Sequence, residues 1–332
     1  MTKKVFYIIG LILLTISACR KNDGDVEVDI PDFNFPQTIS FETSLSAYGI
    51  FDETPSDLLP SEDFELLELS SALFTDYAHK QRLVKIPEGT SITKSSDGSL
   101  DFPDGTILTK TFFYFNDERD TSLGKRIIET RLEIKESGTW NIATYLWNET
   151  QTDATLKLDG QDTPVTWINA QGNNRSTLYH VPTQNECMTC HQSNSTMSPI
   201  GPTLLNLNRT VNRDSSELNQ LTHLQTTGLL EQFSIADIPQ MVNYNDLNAS
   251  LSERGRAYLA INCAHCHNPS AWNTPAEKDF DFRHEIPFDL TGIQNGKDKI
   301  SRNIINLEMP FIGTTMMDEE GVALLVEYLN SL

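Results

Sequence analysis

Cys187-Met188-Thr189-Cys190-His191 and Cys263-Ala264-His265-Cys266-His267 are two copies of one pattern, Cys-x-x-Cys-His, set 76 residues apart. Two thiols at this spacing reach the two vinyl groups on one edge of a porphyrin, and the His that follows meets the iron from one side. The pattern is the attachment sequence for a c-type haem, and its repetition predicts two haems. A zinc site assembled from the four thiols and the motif histidines is the competing reading. It gives no reason for a His in the same place after each pair. Five cysteines are present, Cys19 and the four of the motifs, so none is left over for a structural disulfide.

Outward from the second motif, Ser252 can cap a helix that runs through Ile261 into Cys263, and Asp318-Glu319-Glu320 opens a helix to Leu332 with acids at its positive end. Gly255 on the first and Tyr328 on the second permit a close crossing. This arrangement resembles the class I cytochrome c fold. The resemblance implies that the distal ligand of the second iron is Met309, in Glu308-Met309-Pro310 and 42 residues after His267, with Met316 and Met317 as rivals. Around the first motif, residues 215–233 read as a helix with Leu218, Leu221, Leu224, Leu229 and Leu230 on its apolar stripe. The first iron has Met241 as its candidate distal ligand, Met197 and His180 as alternatives, and five-coordination as an open case.

Before the motifs the chain changes character. Lys3 and Lys4 precede an apolar run over 5–16 that is too short to span a bilayer and has the layout of an export signal. The run ends Ile16-Ser17-Ala18-Cys19, which resembles a bacterial lipobox, so Cys19 is the expected site of acylation and membrane anchoring. Residues 19–37 read as an acidic tether. Over 38–170 short runs at 106–115, 125–134, 139–147 and 154–158 read as strands, separated by Pro103-Asp104-Gly105, Ser137-Gly138 and Asp159-Gly160. In 125–134, Ile128, Thr130, Leu132 and Ile134 share one face, and Glu129, Arg131 and Glu133 share the other. A helix is expected at 65–77, and Trp140, Trp147 and Trp167 are expected in the core. The expected architecture is therefore multidomain: a signal peptide (1–18), a tether (19–37), a mainly β, sandwich-like domain (38–170), and an all-α cytochrome c-type region holding one haem in 171–250 and one in 251–332.

The formal charge of −21 becomes −23 once Lys3 and Lys4 are removed. That balance argues against nucleic acid as a partner and suits a basic redox protein. The whole chain from about residue 70 resembles a family of exported bacterial dihaem c-type cytochromes, often lipoproteins, with an amino-terminal β domain. The resemblance is carried by Leu73-Phe74-Thr75-Asp76-Tyr77-Ala78, Phe102-Pro103-Asp104-Gly105-Thr106, Tyr145-Leu146-Trp147-Asn148, Arg256-Ala257-Tyr258-Leu259 and Met309-Pro310, beside the two motifs. It implies two haems and an architecture, but no substrate. Three functional classes follow. The first is an electron carrier at the cell envelope, expected at the outer membrane and facing the periplasm or the surface, with an exported dehydrogenase as a candidate partner. The second is an enzyme of the dihaem peroxidase type with an open first haem. The third is a haem-bearing lipoprotein whose β domain binds a ligand.

Overall fold

Ser137 and Gly138 both take left-handed backbone angles, φ 52° and 74°, and close a two-residue hairpin between a strand at Lys125–Glu136 and one at Thr139–Trp147. The hairpin is the centre of a six-stranded antiparallel sheet in a computed structural model that describes residues 33, 37–96, 98–194, 196–213, 215–271 and 279–332. The signal-peptide reading, the acylation of Cys19 and nearly all of the tether lie outside these residues. In chain order the strands are β1 (Glu65–Leu66), β2 (His79–Lys85), β3 (Thr93–Lys94), β4 (Leu100–Asp101), β5 (Ile107–Phe115), β6 (Lys125–Glu136), β7 (Thr139–Trp147), β8 (Ala154–Leu156), β9 (Asp159–Ile168), β10 (Asn174–Thr183), β11 (Gln192–Ser193), β12 (Thr196–Met197), β13 (Thr210–Arg213) and β14 (Ser216–Asn219). The helices are α1 (Gln184–Cys190), α2 (Leu204–Leu207), α3 (Gln220–Thr226), α4 (Leu251–Asn262), α5 (Ile293–Ile305) and α6 (Glu319–Ser331).

The large sheet runs β1-β2-β5-β6-β7-β8, and register decides what each face carries. Leu83, Thr109, Leu132 and Ala143 lie opposite one another across four strands. Their face is covered by Leu45, Ile50, Leu58 and Phe64 from the segment before β1. The other face repeats in three rows: Val84-Leu108-Glu133-Ile142, Arg82-Lys110-Arg131-Thr144 and Lys80-Phe112-Glu129-Leu146. Its apolar corners are covered from two sides. Cys187, Met197, Leu204, Leu221 and Leu224 pack on Val84, Leu108 and Ile142. Val165, Trp167, Tyr179 and Val181 of the β9–β10 hairpin pack on Phe112. The strand region is thus one sheet with a hairpin laid across it, rather than two sheets of similar size. Trp140, Trp147 and Trp167 are buried, as their strand periodicity requires.

The expectation of an all-α cytochrome c-type region after residue 170 is overturned. The described residues are mostly β, and β10 to β14 lie beyond residue 170. β10 continues the β9 strand pairing from Ile168↔Asn174 to Asp159↔Thr183 and runs directly into the first motif. The physical reason is local. Exposure, rather than residue type, alternates over 174–181, and Tyr179 and Val181 gain a partner surface by pairing with β9. The expected helix at 215–233 shrinks to α3, because Ser216–Asn219 pairs with Thr210–Arg213 instead. The expected helix at 65–77 is absent. Leu67, Leu69 and Ser71 are buried at alternate positions while Leu66 pairs with Leu83, a period of two rather than 3.6.

Residues 31–332 form one compact unit. Buried polar side chains tie distant segments together. Asn206 takes a hydrogen bond from Ser71 N at 2.9 Å and donates to Ser71 O at 3.0 Å. Asn262, one residue before the second motif, accepts from Phe74 N at 2.7 Å. Asp76 accepts from Thr315 N, Thr315 Oγ1 and Met316 N at 2.7–3.0 Å.

Candidate functional site

Each motif forms one tight turn whose geometry follows from what precedes it. α1 begins at Thr183, whose hydroxyl accepts from Glu186 N while the Glu186 carboxylate takes Thr183 N–H, a complete capping box. The helix lasts seven residues and ends at His191, whose N–H donates to Cys187 O at 3.0 Å. α4 begins with a second capping box, Ser250 and Glu253, two residues earlier than the expected cap at Ser252. It ends at Cys263, and His267 N–H donates to Cys263 O at 2.9 Å. In both motifs the terminal His therefore folds back over the first Cys by the same bond. The two thiols and the imidazole leave one turn of chain together, as attachment to one ring requires.

All six of these residues, Cys187, Cys190, His191, Cys263, Cys266 and His267, line a single cleft. It opens to solvent at its mouth, and its empty space counted out into that solvent is about 1620 Å³. Met309 lines it as well, together with Met316 and Met317. Met241 and Met197 do not. Met241 is buried among Tyr244, Tyr258, Leu325 and Tyr328, and Met197 among Leu204, Leu221 and Trp140. His180 does line the cleft, with Nδ1 2.6 Å from Asp162 and Nε2 3.1 Å from Glu186.

Burial sets the protonation of His191 and of the thiols unevenly. Burial, reinforced by Lys110 and Arg131, holds His191 far below the usual imidazole value, so it is neutral and able to ligate. Burial pushes the thiols of Cys187 and Cys263 up to about 12. Cys190 moves the other way, pulled down by a hydrogen bond from Cys266 and by His265 beside it. Ligand atoms of Cys190, His265 and Cys266 all lie within 4.8 Å of one another, so the two motifs meet at their second thiols. The donor set fits two porphyrins attached side by side. The same three atoms could also hold a soft metal ion.

The wall of the cleft is the sheet face that carries Arg82-Lys110-Arg131, and Lys110 and Arg131 line the space itself. Like charges opposite one another in a sheet are unfavourable. Glu129, wholly buried, answers Arg131 with a paired hydrogen bond at 2.6 and 3.0 Å and takes a third from Tyr179 at 2.6 Å. Burial brings Lys110 down to about 8, with Glu133 opposing the shift. Such a row is matched chemically to an anion such as the carboxylates of a haem. Sequence alone places Glu129, Arg131 and Glu133 together on one face of a strand and gives them no role. The available signal was their alternating sign together with Lys80, Arg82 and Lys110 on neighbouring strands, an excess of charge for one sheet face.

Comparison with protein-family models finds no match, and comparisons with curated proteins and with solved structures find none either.

Proposed function

We propose that the protein is a dihaem c-type cytochrome, anchored to the bacterial cell envelope through Cys19, that passes single electrons in an extracytoplasmic redox chain. The observation that carries this reading is that both Cys-x-x-Cys-His turns open onto one cleft. Cys187 and Cys190 would hold one haem and Cys263 and Cys266 the other, with His191 and His267 as proximal ligands and Met309 as the distal ligand of the second. Each bound haem supplies a one-electron iron couple. The chain's residues hold the two groups close together, exclude water from the imidazole of His191 and offer cations to the acidic ring substituents. The net charge of −21 favours docking to a basic partner protein, an exported dehydrogenase being one candidate.

The test is expression in an exporting host with a c-type haem maturation system, followed by intact mass and a pyridine haemochrome count. Two covalent haems per chain are expected, and a chain without porphyrin overturns the reading. Met309→Ala should abolish or halve the weak far-red methionine–iron band of the ferric protein. An unchanged band removes Met309 from the ligand set. The Cys190–His265–Cys266 cluster favours a second reading, a soft metal such as zinc in place of porphyrin. Stoichiometric zinc in a haem-free protein would establish it. A high-spin ferric component that binds cyanide would instead move the assignment toward a peroxidase-type enzyme.

A further inference from the structure

Glu133 stands on β6 between Leu108 and Ile142, on the sheet face that walls the cleft. Its Oε1 lies 3.5 Å from His191 Nδ1, and both residues are buried, 5 % and 3 % exposed. That is an ion-pair distance, a few tenths of an ångström beyond a hydrogen bond. Among the described residues His191 Nδ1 has no hydrogen-bond partner. The nitrogen left over, Nε2, is the one that would meet iron.

We propose that Glu133 is the positioning residue for the first proximal ligand, accepting the Nδ1–H of His191 and so lowering the potential of the first haem. The inference deepens the dihaem reading and depends on it. A metal-bound His commonly gives its second N–H to a carboxylate, which fixes the ring and strengthens it as a donor. A stronger donor stabilises ferric over ferrous iron, against the pull of Lys110 and Arg131, the cations that face His191. At the second motif the His267 ring lies against Phe282 and Phe280, with centroids 5.1 and 6.0 Å away, an aromatic setting. The Met309 thioether would raise the potential there further. The group that would tune the first haem thus comes from β6 and not from the haem-bearing segments.

The experiment is a spectroelectrochemical titration of the mature two-haem protein and its Glu133→Gln and Glu133→Asp variants. The expected result is a positive shift of one midpoint in Glu133→Gln, the other midpoint unmoved, and a smaller shift in Glu133→Asp. Two haems with both midpoints unmoved, or moved together, overturn the proposal. A wild-type chain without haem overturns the dihaem reading instead, so the two failures are told apart by the haem count. Should the variants fail to mature, the wild type decides. In the reduced, ¹⁵N-histidine-labelled protein one proximal Nδ1–H should be strongly deshielded and protected from exchange. Exchange of both with solvent overturns the assignment.

Discussion

His180 has both ring nitrogens facing carboxylates, Asp162 at 2.6 Å and Glu186 at 3.1 Å. Burial lowers its proton affinity, but the two acids outweigh that and leave it raised above the usual 6.5. A raised imidazole stabilises the fold while it is charged. Its contribution is complete below the unfolded value of about 6.5 and disappears as pH rises through the folded value. His180→Gln should therefore lower the Tm most at acid pH, and the gap to wild type should close above neutrality. A gap independent of pH would show that the ring acts by packing alone. The residue scale is also where the strongest sequence signal sits. The two Cys-x-x-Cys-His motifs are legible as letters because each is five consecutive residues, whatever fold surrounds them.

Among elements, the crossing of α4 and α6 is the best defined. Gly255 faces the ring of Tyr328, and Gly321 faces the ring of Tyr258: a Cβ at either glycine would sit 2.2–2.4 Å from ring carbon. Each helix thus receives the other's tyrosine in a groove that only glycine leaves open. Gly255→Ala should cost about 1–3 kcal/mol, the usual cost of overpacking a filled core. Denaturant unfolding reads it, and the loss should shrink in a Tyr328→Ala background, since neighbouring changes are not additive. The Gly255 and Tyr328 pairing was legible from sequence, and so was β7, which spans 139–147 as expected. The helix expected at 65–77 was not. Its apolar residues fit a helical stripe as text, yet Leu66 finds its partner in Leu83 of β2, seventeen positions away. Local propensity is a weak prior when a long-range strand supplies burial and hydrogen bonds at once.

At the scale of the whole molecule, the segment before β2 is a clamp on the cleft. Asp76, buried and with a left-handed backbone (φ 46°), takes two hydrogen bonds from Thr315 and one from Met316 N. Tyr77 accepts from Glu319 N at 3.1 Å and donates to Glu320 at 3.0 Å. Hydrogen bonds to a buried charge are worth about 1.5–3 kcal/mol. Asp76→Ala should lose stability on that scale by denaturant unfolding and should loosen the 313–317 loop that brings Met316 and Met317 to the cleft, measured as faster amide exchange there. An exchange pattern identical to wild type would refute the clamp. A fragment of residues 38–170 should show no cooperative transition on heating. It would lack Tyr179 and Val181, which cover Phe112, Tyr114 and Trp167. A sharp, reversible transition in that fragment would contradict this account.

The sequence by itself determined the two attachment turns, the central hairpin and the helices flanking the second motif, because each depends on residues close together in the chain: fixed thiol spacing, a two-residue left-handed turn, a capping side chain. Only the tertiary structure decided that both motifs share one cleft and that β10 leads into the first of them. It also decided that the charged face of β6 is the wall of the cleft rather than a wetted surface. Those outcomes depend on strand register and on which surface covers which. A charged residue written in a strand carries no mark of whether water or another segment will face it.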